Sequence, residues 1–239
     1  MAYQSVFKRY ELKYLLTQAQ KKQILAAMKP YMKLDDYGRT TIRNLYYDTP
    51  NYRLARQSLE QPFYKEKLRI RSYCQADPFS PVYVELKKKY DGVVYKRRIA
   101  LPEQEAMEWI SGSFPCLREE QIVREIDYFK DFYQGLEPKA FLSYEREAYY
   151  ALDGSDFRVT FDESILCRQR NLSLCDGVWG TPLLSKDQTL MEIKCAGGIP
   201  LWMVSALSEN KIYKASYSKY GTAYKAMIYP YLQGGRKYA

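Results

Sequence analysis

The sequence predicts an α+β fold: an antiparallel β-barrel forming a central basic tunnel, flanked by helices. Three observations carry that prediction. In Lys67-Leu68-Arg69-Ile70-Arg71-Ser72-Tyr73, the two-residue period of a strand sends Lys67, Arg69, Arg71 and Tyr73 to one face and Leu68 and Ile70 to the other. The same split, cations on one face and apolar residues on the other, recurs in nearly every other strand candidate. Asp91-Gly92 joins two such candidates as a hairpin turn, which fixes their register and sets like charges opposite each other. A sheet with one face in water also carries charge there, but mixed signs would suit it better. One sign on strand after strand fits a sheet that is apolar outside, cationic inside and curled on itself.

Residues 5–16 read as the first strand, with Arg9, Glu11 and Lys13 on one face and Tyr10, Leu12 and Tyr14 on the other. Thr17 with Gln20 three positions on is a capping box, so a helix opens there and runs to Lys29, where Pro30 stops it. A strand over 41–49 ends at the turn residues Asp48-Thr49-Pro50-Asn51, and 52–61 reads as a short helix or a loop. After the Lys67 strand and a loop holding Pro78 and Pro81 come the hairpin strands, 82–90 and 93–101. Their register pairs Tyr90 with Val93, Lys87 with Lys96 and Glu85 with Arg98, the last four on one face. Two lysines ~5 Å apart repel by roughly 3 kcal/mol at an effective dielectric of ~20, and by under ~1 kcal/mol in open water. Either the face is washed by solvent or something anionic lies between them.

Pro102, with Glu103 and Glu105 behind it, opens a helix ending near Gly112. A second helix over 118–134 carries Ile122, Ile126 and Phe129 as its apolar stripe. Strands return at 140–152, where Leu142, Tyr144 and Arg146 share a face, and at 157–165, where Arg158, Thr160 and Asp162 do. The last predicted strand, 189–195, groups Leu190, Glu192 and Lys194. Helices over 200–209 and 218–229 follow, and a short frayed tail begins at about 231. With no internal repeat and no low-complexity linker, residues 1–239 read as one domain.

Composition narrows the chemistry. A net charge of +9 calls for an anionic partner, and 239 residues suffice for a sizeable core. The 25 tyrosines suit half-buried strands. There is no histidine, which removes Ser-His and Cys-His nucleophile systems and the common zinc sites. A metal would have to sit on carboxylates, which selects Mn2+ or Mg2+. The phosphate loop G-x-x-x-x-G-K-[ST] is absent. Five cysteines, none in a C-x-x-C pair, and no signal-peptide pattern suggest free thiols in a reducing compartment. No apolar run nears the ~20 residues that span a bilayer. The expected location is the cytoplasm, or the inner face of a membrane through a membrane-protein partner. Nucleic acid is not an expected partner, because the basic residues lie on strand faces and no binding signature accompanies them.

Strand parity gathers Arg9, Glu11, Lys13, Lys67, Arg69, Arg71, Glu85, Lys87, Lys89, Lys96, Arg98, Arg146, Arg158, Asp162, Glu192 and Lys194 on the polar faces. Arginine forks and lysine point charges at that density match phosphate oxygens. The few carboxylates among them, Glu11, Glu85, Asp162 and Glu192, are the candidate metal ligands, since magnesium takes one or two carboxylates plus substrate phosphates.

Several of these stretches also carry a family likeness. Phe7-Lys8-Arg9-Tyr10-Glu11-Leu12-Lys13-Tyr14, Asn44-Leu45-Tyr46-Tyr47-Asp48-Thr49, Lys67-Leu68-Arg69-Ile70-Arg71, Glu85-Leu86-Lys87, Met191-Glu192-Ile193-Lys194 and Tyr217-Ser218-Lys219-Tyr220 together resemble the VTC domain. That is the polyphosphate polymerase domain of the vacuolar transporter chaperone complex, in the CYTH or triphosphate tunnel metalloenzyme superfamily. The resemblance runs from about residue 5 to residue 228, with the motifs in order. It implies an antiparallel tunnel barrel and transfer of the γ-phosphate of ATP or another NTP to a growing inorganic polyphosphate chain, with manganese or magnesium. By that resemblance Lys13, Arg69, Arg71, Lys87, Lys96 and Arg146 grip phosphates, Tyr144 and Ser218 add hydrogen bonds, Glu192 holds the metal and Lys219 sits by the transferred group. Arg98 and Arg158 join them from strand parity alone. The superfamily opens with E-x-E-x-K, whereas this chain has Arg9-x-Glu11-x-Lys13. That departure weakens a two-metal hydrolytic reading and suits the polymerase branch. A tunnel-type triphosphatase and a non-catalytic polyphosphate binder are the alternatives.

Overall fold

A computed structural model describes residues 10–230 apart from Gln61 and Gly92. The expected strand residues 5–9, including Arg9, and the expected tail from 231 lie outside the described residues.

The first strand, β1 (Tyr10–Thr17), alternates as the sequence requires and leads directly into α1 (Gln18–Met28). The capping box is present: Thr17 Oγ1 accepts from the Gln20 amide at 3.2 Å, and Gln20 Oε1 accepts from the Thr17 amide at 3.0 Å. Thr17→Ala is therefore expected to lower stability by about 1 kcal/mol, measurable as a shift in the urea midpoint. Next come β2 (Met32–Asp48), α2 (Arg53–Glu60), β3 (Tyr64–Ser72), β4 (Pro81–Tyr90) and β5 (Val93–Pro102). Then follow α3 (Glu103–Ser111), α4 (Gln121–Tyr133), β6 (Glu137–Ala151), β7 (Arg158–Arg168), the two-residue β8 (Thr181–Pro182) and β9 (Gln188–Cys195). The described chain ends with α5 (Leu201–Glu209), α6 (Lys219–Ala223) and a π-helical turn, Tyr224–Ile228.

Two elements differ from expectation. Strand β2 begins at Met32, well before residue 41, because its polar first half is held by pairing with Tyr149–Ala151 of β6 across an irregularity between Leu34 and Arg39. The last helix is not one regular α-helix, since its second half winds as a π-turn.

The strands form one antiparallel sheet in the order β1-β9-β7-β6-β2-β3-β4-β5, with β8 on β7. Among the described residues no ladder joins the terminal strands β1 and β5. The sheet is instead strongly curled, and a 2.6 Å ion pair from Lys87 of β4 to Glu11 of β1 crosses between its ends. The hairpin register is as expected, with Lys87 opposite Lys96 and Glu85 opposite Arg98.

Apolar residues explain the curl. On the convex side Leu68, Ile70, Val84 and Leu86 pack against Trp109 of α3 and Ile126 and Phe129 of α4. Farther round, Leu16, Val159, Phe161 and Ile193 pack against Ile24 and Met28 of α1 and Met203 of α5. A third core forms where Tyr46, Leu142, Tyr144 and Ile165 meet Ala55 of α2 and Tyr220 and Ala223 of α6. One extra residue in β7 makes that third core. Ser164, at φ 48°, bulges between the Glu145–Glu163 and Ser143–Leu166 pairs. Beyond Asp162 the bulge shifts the alternation, so Ile165 and Cys167 join the apolar plug while Asp162 stays with the cations.

Candidate functional site

Three groups of strands supply the concave wall. On β3, β4 and β5 the register builds rows: Lys67, Lys87 and Lys96, then Arg69, Glu85 and Arg98, then Arg71 and Tyr83. Glu85 is buried at the centre. Its carboxylate accepts from Arg69 Nε at 2.8 Å, pairs with Lys96 at 2.6 Å and lies 3.8 Å from Arg71. Burial pushes its pKa up, but Arg71, Arg69 and Lys96 together hold it well below the usual carboxylate range. Arg69 also donates to the Tyr46 hydroxyl at 2.8 Å, and Arg71 to Asn44 Oδ1 at 2.9 Å and the Tyr144 hydroxyl at 3.2 Å.

On β6 and β7, Arg146 grips Asp162 with two bonds of 2.6 and 2.7 Å. Lys219, from the start of α6, reaches the same carboxylate at 2.5 Å. Both cations lie over the Tyr144 ring, at 5.1 Å for Arg146 and 4.4 Å for Lys219. Burial raises the Asp162 pKa, yet Arg146 and Lys219 outweigh it and bring the group down to about 2.

On β1 and β9 the contacts are looser. Glu192 stands 3.5 Å from Lys194, 3.9 Å from Arg146 and 4.0 Å from Lys13. Lys13 donates to the Tyr217 carbonyl at 2.7 Å. Among the described residues Lys67 finds only a hydroxyl: it donates to Ser218 Oγ at 3.0 Å, and that oxygen also caps α6 by accepting from the Gly221 amide. Among the described residues no carboxylate lies within ion-pair distance of Lys67. Burial, together with Lys13, Lys87, Lys65 and Arg69, drives its pKa well below that of an ordinary lysine. Burial is also the first cause for Lys96, at about 7, and for Lys13, at about 8.

The fold therefore brings Lys13, Lys67, Arg69, Arg71, Lys87, Lys96, Tyr144, Arg146, Lys194, Ser218 and Lys219 around one concavity, with Glu11, Glu85, Asp162 and Glu192 among them. Arg98 lies at its edge, over the Tyr83 ring at 4.7 Å. Arg158 is exposed at the start of β7, opposite Lys194 in the ladder. Four supporting residues carried no role in the sequence reading. Asn44 and Tyr46 orient the two arginines, and the alternation of β2 could have flagged them. Buried Asp48 accepts from the amides of Leu54 and Ala55 and from the Tyr220 hydroxyl at 2.8 Å, anchoring α6 beside Lys219. Nothing in the sequence links Asp48 to Tyr220, 172 positions away.

The four candidate metal carboxylates differ in how far their oxygens are committed. Glu85 and both oxygens of Asp162 are tied to cations at 2.5–2.8 Å. Among the described residues Glu192 has only long ion pairs, and Glu11, its diagonal neighbour across the β1–β9 ladder, has one short one. Among the described residues no group of three or more His, Cys, Asp or Glu side chains gathers as a metal site. Glu192 and Glu11 are the two of the four whose oxygens are least committed to cations, the condition a hard divalent cation on carboxylates needs.

A curled antiparallel sheet with an apolar exterior and a basic inner wall defines a triphosphate tunnel protein. The VTC domain model matches residues 8–228, and the chain belongs to the VTC domain family. No curated protein matches the sequence. Among solved structures, one similar fold is a "putative adenylate cyclase" from Bacillus halodurans, at 14% identity and a TM-score of 0.55, covering 90% of this chain and 96% of that one. Another is a "putative adenylyl cyclase", HpAC1 from Hippeastrum, described as having a dominant triphosphatase activity. It is 17% identical with a TM-score of 0.52, covering 92% of this chain and 96% of that one. At these identities the likeness is one of fold.

Proposed function

We infer that this chain is a polyphosphate polymerase, which transfers the γ-phosphoryl group of ATP or another NTP to the end of an inorganic polyphosphate chain. The observation that carries the reading is the Lys67 cluster. A half-buried lysine facing Lys13, Lys87 and Arg69, with only a hydroxyl as acceptor among the described residues, is destabilising until a polyanion supplies the missing charge.

In the transfer the bond between the γ-phosphorus and the nucleoside diphosphate breaks, and a terminal phosphate oxygen of the acceptor bonds to that phosphorus. The acceptor is already an anion, so no histidine base is needed. Positioning and charge stabilisation supply most of the rate in such reactions. Arg69, Arg71 and Arg146, each oriented by a second contact, and Lys219 would face the charge that spreads over the equatorial oxygens. Lys13, Lys67, Lys87, Lys96 and Lys194 would hold flanking phosphates. Glu192 with Glu11 would hold a divalent ion, which would supply positive charge against the phosphates.

A second reading, hydrolysis of a triphosphate in the same concavity, is favoured by the Hippeastrum neighbour's described activity. One assay separates the two. Purified protein with ATP and Mn2+ is expected to yield a polyphosphate ladder on a gel, and Glu192→Gln or Lys219→Met should lose it by at least about a hundredfold. Phosphate release from tripolyphosphate without any ladder would make the protein a triphosphatase. Tight binding of polyphosphate with neither product would make it a binding domain.

A further inference from the structure

The concave wall holds a buried hydroxyl that nothing meets. Thr160 of β7 is 5% exposed, and its Oγ1 has no hydrogen-bond partner among the described residues. A hydroxyl left in that state costs stability that a valine of the same shape would not. The ladders show what surrounds it. Thr160 shares the inner face with Asp162, two residues on, and stands directly opposite Ala148 of β6 on one side and Glu192 of β9 on the other. Lys13 of β1 is opposite Glu192 and completes the row. Ala148 has no polar side-chain atom, and both oxygens of Asp162 are held by Arg146 and Lys219. That leaves the Glu192 carboxylate, whose own ion pairs are 3.5–4.0 Å long. Residues directly opposite in an antiparallel ladder have Cβ atoms ~4.5–5.5 Å apart. The hydroxyl and the carboxylate are therefore neighbours, yet they do not bond to each other.

The sign of the charge says what fits between them. A phosphate oxygen there would face the negative charge of Glu192, whereas a cation is attracted by the carboxylate and accepts a lone pair from the hydroxyl. Magnesium and manganese take oxygen ligands, and a serine or threonine hydroxyl serves as one in phosphate-loop enzymes. Two carboxylates fall short of such a shell, and among the described residues no third His, Cys, Asp or Glu joins them. We propose that Thr160 is a third protein ligand of the divalent-cation site, its Oγ1 joining Glu192 and Glu11 on one magnesium or manganese ion. This rests on the phosphoryl-transfer reading, in which those two carboxylates hold the metal. Lys194, Arg146 and Lys13 stand within 4.0 Å of Glu192 and repel a bare dication. Thr160 and the carboxylates therefore hold the ion only when phosphates offset those cations, and metal and triphosphate each raise the affinity for the other.

Binding of β,γ-methylene ATP, whose γ-phosphoryl group cannot be transferred, tests this without turnover. Calorimetry in Mn2+ and again in EDTA separates the metal-dependent part of its affinity from the rest. In Thr160→Val the dissociation constant in Mn2+ should rise at least about tenfold, as for residues that support a bound metal, while the value in EDTA stays as in the unaltered protein. Thr160→Ser keeps the hydroxyl and should keep the gain from Mn2+. Without ligand or metal, Thr160→Val should raise the urea midpoint, because it removes the unmet hydroxyl. An equal rise in Mn2+ and EDTA would make the hydroxyl a phosphate donor and overturn the proposal, as would an unchanged constant in Mn2+. A lower urea midpoint, or failure of Thr160→Val to fold, would overturn it by showing that the hydroxyl serves the fold. If the unaltered protein bound the analogue no better in Mn2+ than in EDTA, the metal site on Glu192 and Glu11 would itself fall. Binding in neither condition would remove the phosphoryl-transfer reading, a result distinct from the others.

Discussion

Asp162→Asn is expected to destabilise the fold by about 3–5 kcal/mol, measured by chemical denaturation of the ligand-free protein, and to abolish turnover. The reason is geometric. Asp162 is fully buried, and both its oxygens are engaged, with Arg146 at 2.6 and 2.7 Å and Lys219 at 2.5 Å. Those two cations are themselves largely buried, with side chains 15% and 12% exposed. Neutralising the carboxylate leaves two desolvated positive charges facing each other, with the Tyr144 ring as their remaining common contact. Removing Arg146 as well, in Asp162→Asn/Arg146→Met, should recover part of the loss, because it removes one of the two charges that the neutral amide leaves unpaired. The same experiment decides what Asp162 is for. A carboxylate waiting for a metal is destabilising when the metal is absent, so its loss would leave metal-free stability unchanged or raise it. A large loss instead identifies Asp162 as the brace that holds Arg146 and Lys219 in place.

How far the sequence reveals this arrangement depends on the range of the forces involved. Alternation along Lys67–Arg71 and the Asp91-Gly92 turn act over a few residues, so the inner face of the hairpin and its register could be derived without coordinates. The capping box at Thr17 is equally local. The partners of the charges are not. Parity puts Asp162, Glu85, Glu11 and Glu192 on the same faces as the cations but does not say which carboxylate neutralises an arginine and which keeps free oxygens. That difference, 2.5–2.8 Å contacts at Asp162 and Glu85 against 3.5–4.0 Å at Glu192, arises only when the sheet curls. The Ser164 bulge is hidden for a related reason. A single serine at φ 48° costs local strain that the pairing on either side over-determines, and no side-chain pattern announces it. The early start of β2 is hidden because its polar residues are held by β6 and not by their own propensity.

The ligand-free protein is expected to become more stable as pH rises from about 7 to about 9. Burial, with neighbouring cations, lowers the lysine pKa values of Lys96 to about 7 and Lys13 to about 8, and takes Lys67 well below its ordinary value. Tyr144 shifts the same way: burial pushes it up, but Arg71, Arg146 and Lys219 bring it to about 8. In the unfolded chain these groups titrate near ~10. Between the folded and unfolded values the unfolded state holds more protons, so the unfolding free energy rises with pH. Their contribution is fully present above the unfolded pKa and is lost as pH falls through the folded one. The carboxylates do not oppose this, because those of the site are held below their usual range and are already ionised. Cys167 opposes the trend from about 9 upward, because burial raises it to about 12 and its ionisation then favours the unfolded chain, but one thiol does not outweigh the three lysines and Tyr144. Tripolyphosphate should flatten the profile by supplying the anion that recharges the lysines, and its binding near pH 8 should take up protons. The uptake can be read from calorimetric heats in buffers of different ionisation enthalpy. Lys67→Met should raise stability at pH 7, reduce both the slope and the uptake, and weaken tripolyphosphate binding. A flat profile with no proton uptake would mean that the lysines of the concave wall are fully charged before any phosphate arrives, and the electrostatic case for a polyanion seat would lose its physical basis.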